Sequence, residues 1–268
     1  MKTRLLIAIA VCLIVASGAW AQFPGASQLS PRTLGMSAGI AVVDDAAAWS
    51  INPAALATLR NCTPREGQDY ASDILGTWGS DDDDHDNLSL SWSGWYAPDK
   101  IGLGVGTFDQ RGHFKMFGAG LGKRFGDSPL TWGVNFEYFN GMGTSDTFFN
   151  AALNYDWSCG VRTGLVVEDI LDRTDNGPFF DLGIAKSFGR LLLAADVIDI
   201  TDEVDTTISG GAEYALTDVF KLRTGAFDNG DGHDLSLGLG YAVGSWRIDA
   251  AYRDTDEQPW TVGVGHTF

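Results

Sequence analysis

Three sets of side chains in this sequence have the types to do chemistry. The first is the four histidines, His85, His113, His233 and His266. Histidine serves as a general base near neutral pH, but their spacing to serines and acids assembles no Ser–His–Asp arrangement, so the chain is read as non-enzymatic. The second is a series of acidic clusters: Asp81 to Asp84 with Asp86, Asp199 with Asp202, Glu203 and Asp205, Asp228 with Asp231 and Asp234, and Asp254 with Asp256 and Glu257. Carboxylates at this density attract hard divalent cations. The run at Asp228 to Asp234 nevertheless has Phe227 where a calcium loop needs its first ligand, so no dedicated metal site and no cofactor is expected. The third set is ionisable residues recurring at alternate positions: Glu137, Arg162, Glu168, Lys221, Arg223, Arg247, Asp249 and Arg253. Their rhythm depends on the elements that carry them.

Those elements begin after an export signal. Lys2 and Arg4 precede an apolar run from Leu5 to Val15, and Ala19-Trp20-Ala21 is a small-x-small cleavage site. Cys12 follows Val11, not the small residue that a lipid-attachment signal requires. Residues 1–21 are therefore read as a signal peptide and Gln22 as the first mature residue. Without Lys2 and Arg4, 16 of the 18 basic residues remain against 35 acidic ones, a formal charge of −19. That balance speaks against nucleic acid, whose affinity comes largely from Lys and Arg on phosphates. Cys62 and Cys159 remain, either paired in an oxidising compartment or as two thiols.

From residue 69 onward the pattern has period two. Leu130, Trp132, Val134, Phe136 and Tyr138 alternate with Thr131, Gly133, Asn135, Glu137 and Phe139. Trp246, Ile248, Ala250 and Tyr252 alternate with Arg247, Asp249, Ala251 and Arg253. Read throughout, this predicts strands at 69–78, 87–96, 100–108, 113–125, 129–139, 147–157, 160–168, 178–188, 190–198, 207–216, 219–227, 234–243, 245–253 and 259–268. Each is near the roughly ten residues that a tilted strand needs to cross a bilayer. No remaining stretch has the length of a membrane helix, so a membrane protein of this sequence must be a closed barrel.

The connections alternate between tight turns (Ala97-Pro98-Asp99, Gly126-Asp127-Ser128, Ser158-Cys159, Gly189, Thr217-Asp218, Gly244) and longer acidic ones (79–86, 109–112, 140–146, 169–177, 199–206, 228–233, 254–258). Short inner turns and longer external loops are the outer-membrane pattern. The expectation is an all-β, 14-stranded antiparallel transmembrane barrel over 69–268, in the outer membrane of a Gram-negative-type cell. One face would meet membrane lipid. The other would line a lumen with Glu137, Arg162, Glu168, Lys221, Arg223, Arg247, Asp249 and Arg253. Their charges either set up a transverse field or pair with one another. The acidic loops are read as solvated, or as bridged to lipopolysaccharide by divalent ions. Phe268 closes an alternating last strand, which resembles the signal read by barrel-assembly machinery.

Residues 22–68 do not alternate. Leu34-Gly35-Met36-x-x-Gly39, then Asp44-Asp45-Ala46, then Asn52-Pro53-Ala54-Ala55-Leu56-Ala57 is similar to the N-terminal region of the FadL and PorV-like outer-membrane proteins. The match covers about 25 residues. It implies that 22–68 folds as a hatch inside the lumen, with Asp44, Asp45, Asn52, Pro53 and Ala54 as its motif. By residue type, Asp44 and Asp45 are placed to cap a helix at Ala46–Trp49, and Pro53 breaks regular structure. The resemblance implies a passive channel for small hydrophobic or amphipathic ligands. The alternative is a PorV-like accessory barrel that binds partner proteins in secretion or surface attachment. The short acidic loops depart from the long apolar loops that capture fatty acids in FadL-type transporters.

Overall fold

The computed structural model describes residues 30–59, 69–80, 86–111, 114–141, 144–172, 178–201, 206–228, 233–254 and 260–268. The predicted signal peptide, Cys62 and most acidic loop clusters lie outside these residues. Fourteen strands follow one another: β1 (Tyr70–Ser80), β2 (Asp86–Tyr96), β3 (Ile101–Gln110), β4 (Phe114–Arg124), β5 (Leu130–Gly141), β6 (Thr144–Asp156), β7 (Val161–Glu168), β8 (Phe179–Phe188), β9 (Leu191–Ile198), β10 (Thr207–Ala215), β11 (Phe220–Asp228), β12 (His233–Val243), β13 (Trp246–Arg253) and β14 (Trp260–Thr267). Each pairs antiparallel with its sequence neighbours, and β1 pairs with β14 from Asp73↔Thr267 to Ser80↔Trp260 to close the barrel. The Phe268 N–H donates to the Ser72 carbonyl at 2.8 Å and completes the seam. Closure removes every sheet edge, the condition for crossing hydrocarbon with strands.

Alternation explains the two faces. Leu88 and Leu90, Leu103 and Val105, and Leu235, Leu237 and Leu239 all point outward and are about half exposed. Their neighbours Ser89, Ser91 and Ser236 are buried in the interior. An exposed apolar belt around a closed barrel is stable only in lipid. Aromatic side chains mark one rim: Tyr70, Tyr96, Phe125, Trp157, Phe188, Trp246 and Phe268 are exposed near the turns 97–100, 125–129, 157–160, 189–190 and 244–245. At the other rim Trp78 and Trp260 stack edge to face, 4.7 Å between centroids. The first rim is the short-turn end, which faces the periplasm in such barrels.

The sorting of connections is less strict than the sequence implies. At the opposite end, 142–143 and 111–113 are as short as the turns across the barrel. The stretch 140–146, rich in Gly, Asn, Ser and Asp, reads as a loop. Instead β5 and β6 run on to 12 and 13 residues, pairing Asn140↔Ser145 and Gly141↔Thr144. Ladder hydrogen bonds outweigh weak strand propensity there.

The core lies in the lumen. Residues 30–59 form α1 (Pro31–Met36), α2 (Ala48–Ile51) and a 3₁₀ helix (Pro53–Thr58), and all but a few of their side chains are buried. They contact inward-facing positions of strands around the whole ring, from Gly102 on β3 to Gly263 on β14. Only a segment inside the barrel can do that.

Candidate functional site

Two glycines show how closely this segment approaches the wall. A Cβ on Gly102 would lie 2.0 Å from the Leu56 carbonyl oxygen, and one on Gly211 would lie 2.0 Å from that of Met36. On the β3–β5 side the contact is apolar: Trp49 is fully buried over the glycine floor of Gly104, Gly106 and Gly118 and clusters with Leu56, Leu75, Phe108 and Met116. The Trp49 indole N–H donates to Ser91 Oγ at 3.0 Å, and Asn135 Nδ2 donates to the Trp49 carbonyl at 2.8 Å.

The β10–β13 side is ionic. Arg32 donates twice to Glu213, 2.9 Å from Nε and 3.2 Å from Nη2, and also to the Val42 carbonyl and Asp44. Burial alone would lower the Arg32 pKa, but Asp44 and Glu213 outweigh it and hold the guanidinium charged. Glu213 also accepts from Lys221 at 3.0 Å and from Arg223 at 2.8 Å, and Arg223 reaches Asp249 at 2.6 Å. Arg247 forms a two-pronged pair with the buried Asp73, at 2.7 and 2.6 Å. Asp73 in turn accepts the Ala46 N–H at 2.9 Å. Every charge here is met by a partner, as burial demands.

The predicted motif residues lie in this segment. Asp44 binds Arg32 rather than a helix end. Asp45 accepts from Ser30 Oγ at 2.7 Å and from the Ala47 N–H at 3.0 Å. The helix starts two residues later than expected, at Ala48, with no side-chain cap. Asn52 is extended, with φ −159°, and its Oδ1 accepts from the Ala54 N–H at 3.1 Å. Its Nδ2 donates to the Ile40 carbonyl at 2.6 Å and meets the Asn154 amide of β6. The Pro53 carbonyl packs over Gly122 and Gly133, and Ala54 is fully buried.

The predicted lumen residues all face inward but do not oppose one another across open space, because the segment lies between them. Lys221, Arg223, Arg247 and Asp249 belong to the ionic side, and Arg162 pairs with Asp156 at 2.7 Å. Arg253 lies over the Phe227 ring, 5.0 Å from its centroid. Glu137 accepts from Asn135 at 3.1 Å. Glu137, Glu168, Asp181 and Asp196 border a polar cavity of about 50 Å³, and among the described residues none of the four forms an ion pair. Asp196 instead accepts the Gly39 and Ile40 N–H groups at 2.6 and 3.0 Å. Arg32 and Asp73 were not singled out by the sequence reading. Arg32 carried a signal, as the one charged residue in 22–43. His266 stands on the outer wall between Trp246 and Phe268. Among the described residues no group of three or more His, Cys, Asp or Glu side chains could hold a metal.

A closed antiparallel 14-strand barrel with a lipid-facing belt defines an outer-membrane β-barrel, and the outer membrane is where this chain resides. Solved structures agree with the fold. The outer membrane protein Omp33 of Acinetobacter baumannii is 8% identical, with a TM-score of 0.54, covering 75% of this chain and 97% of that one. A deletion mutant of the monoaromatic hydrocarbon channel TodX is 12% identical, with a TM-score of 0.51, covering 89% and 97%. No protein-family model matches the sequence. No curated protein matches it either.

Proposed function

We propose that this barrel is a passive channel for small hydrophobic or amphipathic compounds, of the FadL-like kind, with residues 30–59 acting as its hatch. One observation carries the reading. The segment separates the small acidic cavity from a wide recess of about 720 Å³ at the short-turn end, so any passage requires it to move. On the β10–β13 and β6–β9 sides its ties to the wall are ion pairs and hydrogen bonds, which can exchange for water without breaking the barrel. The TodX likeness in fold, from a channel for monoaromatic hydrocarbons, agrees with an apolar or amphipathic cargo. In this reading Asn52-Pro53-Ala54 shapes the hatch where it meets the wall at β4–β6, and Phe268 is the assembly signal.

The test is conductance and solute uptake in bilayers and liposomes. Wild type should conduct little, and Glu213→Ala, which releases Arg32, should open more often. A variant lacking residues 30–59 that folds as a barrel and still passes neither ions nor small aromatic solutes would overturn the channel reading.

A second reading draws on the fully paired ionic side, which suits a barrel that stays shut. Such a barrel serves as a PorV-like accessory that binds partner proteins in secretion or surface attachment. Co-purification of a secretion complex with a wild-type barrel that never conducts would favour it.

A further inference from the structure

The recess at the short-turn end has a chemical bias that the rest of the lumen lacks. Among the cations on its wall, Arg32 pairs with Asp44 and Glu213, Arg162 with Asp156, and Lys100 with Asp127. Lys100 holds the exposed Asp127 carboxyl below the ordinary carboxylate range, with Arg124 adding to the effect from farther off. Arg124 itself is different. It faces inward at the end of β4, and its Nε is shielded from solvent with no hydrogen-bond acceptor among the described residues. Trp95, inward on β2, presents a second orphan: its indole N–H is also shielded and has no acceptor. The register places them on one patch of wall, since Trp95 pairs with Gly102, Gly102 with Gly122, and Arg124 lies two residues beyond on the same face. Both groups line the same recess, and Trp95 packs against the apolar cluster that contains Leu59, at the end of the inner segment.

A buried donor without an acceptor costs free energy, more so when it is charged. A guanidinium fork beside an indole N–H, with apolar surface alongside, matches a planar carboxylate on a small apolar body. We propose that this recess binds small organic carboxylates from the periplasmic side. The Arg124 guanidinium holds the carboxylate, Trp95 supplies a second donor, and Leu59 receives the apolar part. Both donors stand on the barrel wall and Leu59 ends the inner segment in its closed position, so binding is read on the shut barrel, separately from conductance.

The experiment is calorimetric titration of the full-length barrel in detergent micelles with benzoate, benzamide and inorganic phosphate. Benzoate should bind more tightly than its neutral amide. Arg124→Gln should weaken benzoate about tenfold or more while leaving benzamide unchanged, as expected for loss of a charge-assisted hydrogen bond. Trp95→Phe, which keeps the ring and removes the N–H, should weaken benzoate several-fold. If Arg124→Gln does not reach the folded gel mobility, Arg124→Lys serves: it keeps the charge, loses the fork, and should bind benzoate less well than wild type. Equal affinity for benzoate and benzamide, benzoate binding indifferent to both variants, or displacement of benzoate by an equal concentration of phosphate would each overturn the proposal.

Discussion

The two halves of the lumen hold the same inner segment by different means. On the β10–β13 side, Arg32, Lys221 and Arg223 converge on Glu213, and Arg247 on Asp73. On the β5–β9 side, Glu137, Glu168, Asp181 and Asp196 surround a small cavity with no ion pair among them in the described residues. The first half is a clamp whose charges cancel within hydrogen-bond distance. The second carries like charges side by side and meets the segment through backbone N–H groups and amides. Any motion of the segment should therefore pivot on the clamp and yield at the acidic side.

Breaking the clamp is the sharpest way to test this asymmetry. Glu213→Ala leaves three cations facing an empty position, and removing one partner of a buried ionic cluster costs roughly 3–5 kcal/mol. Denaturant unfolding of the refolded barrel should show this as a lower midpoint, and conductance should rise in parallel. An unchanged midpoint would mean that the clamp is not what fixes the segment. Trp49→Ala addresses the apolar floor between the two halves. It should cost about 3 kcal/mol, the lower end of the range for large aromatics, because water can enter the gap from the lumen. It should leave the ion pairs, and hence the low conductance, largely intact. If Trp49→Ala opened the barrel more than Glu213→Ala, the ranking of clamp over floor would be reversed.

The wall was far more legible in the sequence than its contents. All fourteen strands lie within three residues of their predicted bounds, because the contrast between lipid and lumen writes itself into adjacent residues. Where that contrast ends, at 140–146, the reading failed and two strands proved longer. The lumen's contents depend on contacts that sequence spacing does not carry: Arg32 and Glu213 are 181 positions apart. Asp44 and Asp45 show the same limit from the other side. Their residue type points to a helix cap, but one is taken by Arg32 and the other by Ser30 and the Ala47 N–H. Local propensity lost to charges brought in by the fold.

The smallest expected effect has the opposite sign and separates the halves most cleanly. Glu168→Gln removes a half-buried carboxylate that has Asp181 and Glu137 as neighbours and, although Arg253 borders the same cavity, forms no ion pair among the described residues. A buried charge without a partner is a liability, and glutamine keeps the shape and the hydrogen-bonding capacity. The variant should therefore be as stable as wild type or more so, by up to about 1 kcal/mol. Glu213→Gln, the same substitution on the clamp, should be strongly destabilising because three cations lose their shared charge. Measuring both in one denaturant series isolates the environment from the chemistry of the change. Destabilisation by Glu168→Gln of the same size as that by Glu213→Gln would require Arg253, which borders the same cavity, to pair with Glu168, and the two halves would then be held alike.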